Sequence, residues 1–190
     1  MKTVLALVFA LVALGAAGCT AAAVPEMAST PAGHASGSTP TFHARIAYAV
    51  DGDTLRVRLA SGELVYVRLV GIDTPEDVRP GYATECGARA AVASMDQLAP
   101  EGATVILRRD SVADAEDRYG RLLAHAFIAG RQLEVAQLRR GWAYLYRYEG
   151  QSFDGLTRFE AAQRSAREDG RGAWGRCGGD FHSAEDGMQK

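Results

Sequence analysis

The stretch "VDGDTLRVRLASGELVYVRLVGIDTPED", Val50 to Asp77, decides the fold. From Leu55 to Leu59 apolar residues alternate with Arg56 and Arg58, the period of a strand with one buried face. Asp51-Gly52 just before it is a hairpin turn signal, which gives both residues a structural explanation. Ser61-Gly62 turns the chain again, into "ELVYVRLVG", rich in β-branched and aromatic residues. With "TFHARIAYAV" in front, three successive strands form a meander. Pro75 then fixes its own torsion and pushes Thr74 toward extended geometry, so the acids of "DTPED" sit on a stiff loop rather than a helix.

Downstream, "CGARAAVASMDQLAP" is Ala-rich and stops at a proline, as a helix does. "ATVILRRD" and "RLLAHAFIAG" read as a fourth and a fifth strand. "RQLEVAQLRRG" places Leu133, Ala136 and Arg140 at helical spacing and stops at Gly141. A longer helix follows in "FDGLTRFEAAQRSARED", with Ser152 as its candidate cap and Phe153, Leu156 and Phe159 on one face. The order is βββαββαα. Five short strands with a helix after the third predict an α+β fold, a closed five-stranded Greek-key β-barrel of the OB type with three helices packed on one side.

The first eighteen residues have Lys2 followed by an apolar run from Val4 to Ala17, too short to cross a bilayer comfortably and suited to a signal peptide. "LGAAGCTA" is similar to the lipobox of bacterial lipoproteins, which makes Cys19 the candidate lipidated residue. The competing reading is simple secretion, with cleavage after Ala21-Ala22-Ala23. The protein is accordingly expected to be exported, either held at the envelope membrane through a lipid or secreted. Residues 19–40 lack periodicity and cannot bury enough apolar surface to fold. As a flexible tether they have a reach of about 25 Å. One domain, residues 41–178, is expected to follow, with residues 179–190 as a disordered tail.

Residues 41–178 contain nineteen arginines, no lysine, and nineteen Asp plus Glu. A domain that gathers nucleic acid by its overall field carries a basic excess, so phosphate recognition here has to be local. Cys86 and Cys177 remain as an even pair in an oxidising compartment, too few for a zinc site and expected to form a disulfide. Closing that loop stabilises the fold by roughly 4 to 5 kcal/mol in the chain-entropy model.

Asp53 is the acid of "VDGDT" that the turn leaves over. If the second and third strands pair, the start of one lies beside the end of the other, bringing Asp53 near Asp73. Two carboxylates and a backbone carbonyl on a stiff loop offer hard oxygen ligands, suited to Ca²⁺ with water completing the shell. Arg68 lies on the third strand, and Arg121 lies in "DRYGR" between the fourth and fifth. Facing each other across a cleft, two guanidiniums can grip phosphate oxygens.

"VDGDT", "VRLVGIDTPE" and "DRYGR", in this order and spacing, resemble the staphylococcal nuclease (thermonuclease) family. The resemblance extends over roughly residues 42 to 176, including "GWAYLY" and the closing "GRGAWG". It implies a Ca²⁺-dependent phosphodiesterase that acts on DNA and RNA and leaves 3′-phosphates. By position it implies that Asp53, Asp73 and the Thr74 carbonyl hold the metal, that Arg68 and Arg121 hold the scissile phosphate, and that Glu76 is the general base. It further implies Arg118, Tyr119 and Tyr146 or Tyr148 beside the nucleotide; single-stranded DNA and RNA are the expected partners, and a monomer is expected.

Three departures stand out. Arg118 occupies a position where lysine is familiar, "CGARAA" replaces a "YGPEA"-like pattern, and the basic surface is missing, which implies modest, salt-dependent affinity for long nucleic acid. His43 and His125 fall on strands and are expected to pack or face solvent. For Trp142, Tyr144 and Tyr146 the simplest reading is packing beside the barrel. Two other functions compete with the enzyme: an OB-type module that binds single strands without cutting them, and an envelope lipoprotein whose barrel binds a wall polymer or partner.

Overall fold

The computed structural model describes residues 39–77 and 83–183. The signal segment, Cys19 and most of the tether lie outside the described residues. Among those described, no helix is long and apolar enough to cross a membrane.

The meander forms as expected: β1 (Thr41–Ala49), β2 (Thr54–Leu59) and β3 (Leu64–Leu69) pair antiparallel in turn. A two-residue strand, β4 (Ile72–Asp73), follows, and then the first helix, α1 (Ala88–Leu98). Next come β5 (Thr104–Arg108) and β6 (Leu122–Ile128), then the short β7 (Arg131–Gln132) leading directly into α2 (Leu133–Arg140). The chain finishes with β8 (Tyr144–Leu145), α3 (Leu156–Glu168) and a single turn, α4 (Ala173–Arg176).

The main sheet runs β3-β2-β1-β5-β6-β7, and β3 pairs back onto β6 in parallel, which closes five strands into a barrel. Closure is the step that removes the open edges of a β-sheet. Residues of one parity fill the interior: Ile46 opposite Val57, Leu55 opposite Val67, and Val105 and Leu107 beside them are buried. The helices cover one side of the barrel through Met95, Leu98, Leu133, Leu138 and Phe159. Phe159 and Phe153 meet edge to face, with ring centroids 4.9 Å apart, and burying each contributes about 1.5 to 3 kcal/mol.

Several details differ from the sequence reading. Ser152 does not cap α3; the residue before that helix is Gly155, and no side chain caps it. The strands β4, β7 and β8 and the turn α4 go beyond five strands and three helices. Each is too short to carry a periodic pattern; β4 and β8 exist because they pair with each other across a long stretch of chain, and β7 because it turns back onto the end of β6. Gly179–Ser183, assigned to a tail, instead packs down: Phe181 is buried, with its ring centroid 4.9 Å from that of Trp174 and 5.2 Å from that of Tyr144. The Cys86 and Cys177 sulfurs are bonded, with Cα atoms 5.9 Å apart. This bond ties the start of α1 to that C-terminal segment.

Candidate active site

Asp53 lies at the β1–β2 turn, and its carbonyl accepts from the Leu69 N–H at 2.9 Å, so it is fastened to the far end of β3. Thr54 pairs with Arg68 across β2 and β3. The turn is tight because Gly52 has no side chain: a Cβ there would stand 2.7 Å from Thr74 Oγ1 and 2.9 Å from Ala91 Cβ. Gln137 of α2 donates to the Gly52 carbonyl at 3.2 Å, holding the turn from below. After β3 the chain reverses at Gly71, whose φ of 82° L side chains rarely adopt, and a Cβ there would strike the Phe153 ring at 2.5 Å. This reversal delivers Asp73 back beside Arg68.

The Arg68 guanidinium is the cross-brace. Its Nε lies 3.2 Å from Asp53 Oδ1, its Nη2 donates to Asp73 Oδ1 at 2.7 Å, and its Nη1 donates to the Leu69 and Ile72 carbonyls at 3.0 and 2.7 Å. Four of five N–H groups are thus engaged by protein. Thr54 and Thr74 hydroxyls donate to the two oxygens of Asp53 at 3.0 and 3.1 Å.

Arg121 is held differently. Its Nε and backbone N–H both donate to Asp117, at 2.7 and 3.0 Å, and Nη1 reaches Thr54 Oγ1 at 3.4 Å. Burial raises the Asp117 carboxyl, but those bonds outweigh it and hold the group below its ordinary value, so Asp117 stays charged. Thr54 links Arg121 to Asp53. Arg121 is the more exposed of the two arginines, its side chain 29% accessible against 13% for Arg68, which mainly binds the two carboxylates together.

Asp53 is only 3% exposed. Burial pushes its carboxyl well above the usual range; Arg68 opposes this, and the neighbouring Asp51 and Asp73 charges add to the rise. Arg68 responds in the opposite sense: burial would loosen its proton, but Asp53, Asp73, Asp51 and Glu76 hold it more firmly. Four acids, Asp53, Asp73, Asp51 and Glu76, bear on the one Arg68 guanidinium, a surplus of acids over bases around it. That surplus and its all-oxygen donor set fit a hard divalent cation such as Ca²⁺. Among the described residues no three His, Cys, Asp or Glu side chains are grouped to hold an ion by themselves. A cation there would rest on Asp53, Asp73, backbone oxygen and water.

Two features escaped the sequence reading. Tyr144, assigned to packing, lies opposite Asp73 across the β4–β8 pair and donates to Asp73 Oδ2 at 2.7 Å. The Tyr144 hydroxyl also meets His182 Nε2 at 3.0 Å, and His182 Nδ1 meets Glu85 Oε1 at 3.1 Å. Glu85 Oε2 in turn accepts from the Glu76 N–H at 2.8 Å. A chain of hydrogen bonds thus runs from Asp73 through the C-terminal segment back to the loop of Glu76. Only the pairing partner of Asp73, invisible in a linear pattern, could have revealed it.

Glu76 is half-buried, and together with Asp51, Asp77 and Asp96 it lines a shallow cleft against α1. Arg118 donates to the Tyr119 hydroxyl at 2.7 Å beside Arg121. The backbone N–H of Tyr146 donates to the Gly71 carbonyl, and both Tyr146 and Tyr148 are exposed.

His125, expected to pack or face solvent, is fully buried between two acids, with Nδ1 2.8 Å from Glu134 Oε1 and Nε2 2.9 Å from Asp110 Oδ2. Burial alone would lower His125, but Glu134 and Asp110 push it up, so the imidazolium is favoured. Asp110 also accepts from the backbone N–H groups of Val112, Ala113 and Asp154, which overcome the rise due to burial and lower its carboxyl.

Comparison with known proteins agrees with this fold. Residues 66–176 match the family described as staphylococcal nuclease homologue. A protein named endonuclease YncB, from Bacillus subtilis (strain 168), is 28% identical over 154 residues, which span 80% of this chain and 70% of that protein. An SPbeta prophage-derived endonuclease, YokF, from the same strain is 30% identical over 131 residues, or 68% of this chain and 43% of that protein. A protein named ParB from Escherichia coli is 32% identical over 130 residues, or 62% of this chain and 66% of its own length.

Proposed function

Since the chain belongs to the staphylococcal nuclease homologue family, we propose that it is a nuclease, a Ca²⁺-dependent phosphodiesterase that hydrolyses DNA and RNA and leaves 3′-phosphates. The relatives named as endonucleases support the hydrolase reading. The observation that carries the metal-dependent form is the convergence of Asp53 and Asp73 on one guanidinium, Arg68, beside Asp51 and Glu76.

In this reading Asp53, Asp73 and the Thr74 carbonyl hold the cation, which supplies positive charge to the non-bridging phosphate oxygens when bound. Arg121 grips the phosphate with the Nη groups that Asp117 leaves outward, while Arg68 offers its remaining N–H and keeps the two aspartates in register. Both arginines are set before substrate arrives, so little reorganisation opposes the growth of charge. Glu76 takes the proton from the attacking water, its backbone steadied by Glu85. Tyr119, Arg118 and a later tyrosine receive the nucleotide.

Incubation of the chain from Thr41 onward with single-stranded DNA and Ca²⁺, in parallel with excess chelator, tests the reading. Cleavage is expected only with free Ca²⁺; intact DNA with a gel shift in both arms would instead favour a binding module. Glu76→Gln is expected to slow cleavage about a hundredfold or more while nucleotide affinity persists. A near wild-type rate in that variant removes Glu76 from the mechanism. Export and tethering through Cys19 belong to the same proposal, and Cys19→Ala should release the protein from the membrane fraction.

A further inference from the structure

The domain is balanced at nineteen charges of each sign, yet the charges are not spread evenly. β1, β2 and β3 carry Arg45, Arg56, Arg58 and Arg68 and neither Asp nor Glu. The register sets Tyr48 opposite Arg56 and Arg56 opposite Tyr66, on the outer face of the barrel. The Arg56 guanidinium lies 3.9 Å from the Tyr66 ring centroid, and the two tyrosines are 51% and 43% exposed.

This row does not end at Tyr66. β3 pairs in parallel with β6, Val67 opposite Leu122, so Tyr66 and Arg121 each stand one residue ahead of that pair. Arg121 then lies 5.5 Å from the ring centroid of Tyr119, which is 68% exposed. The row is Tyr48, Arg56, Tyr66, Arg121, Tyr119, aromatic and guanidinium by turns. Along β3, Tyr66 is two residues from Arg68, about 7 Å, close to the step between phosphates of an extended strand. The cleft against α1 is lined by Asp51, Glu76, Asp77 and Asp96, with Arg89 as the one cation among the described residues lining it.

We propose that this row is a track for single-stranded nucleic acid running on from the scissile phosphate. Unpaired bases stack on Tyr66 and Tyr48, and Arg56 holds a phosphate between them. Stacking on exposed rings tolerates any base but needs bases free of a duplex partner, which selects a single strand. The inference rests on the phosphodiesterase reading above for its direction, and it supplies the local phosphate recognition that a neutral domain requires.

A purely structural Tyr–Arg stack across strands would move only thermal stability. The test therefore measures binding of oligothymidylate and of a dinucleotide in chelator, as a function of salt, for wild type, Tyr66→Ala, Tyr48→Ala and Arg56→Gln. Each Tyr→Ala is expected to weaken oligothymidylate binding by about fivefold or more. Arg56→Gln is expected to flatten the slope of log affinity against log salt by about 0.7. In all three the ratio of oligonucleotide to dinucleotide affinity falls. Unchanged affinity and salt slope in folded variants, with wild type still cutting DNA, overturns the track and leaves the nuclease reading standing. Weakened binding in the variants, with wild type cutting nothing in Ca²⁺, supports the track and removes the nuclease reading.

Discussion

Two buried charge clusters flank the barrel, and they are built to different standards. Around His125, the carboxylate of Asp110 accepts from three backbone N–H groups as well as from the imidazole, and Glu134 accepts from the imidazole and from the Ala126 N–H at 3.3 Å. There Asp110 falls below its ordinary value despite burial. Around Arg68, one guanidinium serves two aspartates while Asp51 and Glu76 add charge nearby, and Asp53 rises. The first cluster ties β6, α2 and the segments before α3 together, whereas in the second a single guanidinium faces several carboxylates, which leaves room for a further positive charge. A sequence lists both simply as acids near a base.

The comparison breaks first, and hardest, at His125. His125→Leu leaves Asp110 and Glu134 buried without their cation and is expected to cost about 3 to 5 kcal/mol, read from urea unfolding. A loss below about 1 kcal/mol would mean that the cluster is not charged. Next in size is Arg121→Lys, which keeps the charge but loses the planar fork. Its rate on single-stranded DNA should drop about a hundredfold, roughly 2.7 kcal/mol, with unfolding nearly unchanged.

The pH dependence separates the clusters without mutation. Because the His125 value is raised on folding, its stabilisation is complete below about pH 6.5 and is lost as pH climbs through the higher folded value. Asp110, lowered on folding, contributes above about pH 3.9 and loses that contribution as acid carries it through its lower folded value. Urea midpoints should therefore decline on the alkaline side above pH 6.5, and His125→Gln should flatten that decline. An alkaline limb unchanged in the variant would remove His125 as its source.

Smaller effects sharpen the contrast. Tyr144→Phe, which deprives Asp73 Oδ2 of its donor, should weaken Ca²⁺ binding about tenfold by calorimetry, as loss of a partner to a metal ligand does. Asp53→Asn removes an acid whose charge burial opposes and should raise metal-free stability, while Ca²⁺ binding disappears. Destabilisation by that variant would show that Arg68 already compensates the buried acid.

Much of this was legible in the chain because it is local. Alternation in "TLRVRLA", the turn at Asp51-Gly52 and the stop at Gly141 dictate strands and a helix end, and the barrel follows from five strands that must hide their edges. Asp53, Asp73, Arg68 and Arg121 are brought into one place by pairings the alternation already implied. Tyr144, Glu85 and His182 were not legible. Their meeting depends on a two-residue pair across 71 positions and on a C-terminal segment whose composition resembles a tail. His125 packs inside, one of the two outcomes expected of it, but its ion pairs were not legible, because its acids come from a loop and a helix with no common period.

The bond between Cys86 and Cys177 spans 91 positions and makes a closed ring of the stretch that holds Arg118, Tyr119 and Arg121. A protease that cuts once in the exposed segment around Val112 opens this ring without dividing the protein, since both products remain covalently joined. Everything before Cys86, including Asp53, Arg68 and Asp73, then stays attached to everything after the cut. A nicked molecule migrates as one species until it is reduced, and the parts of the site remain within reach of one another for reassembly.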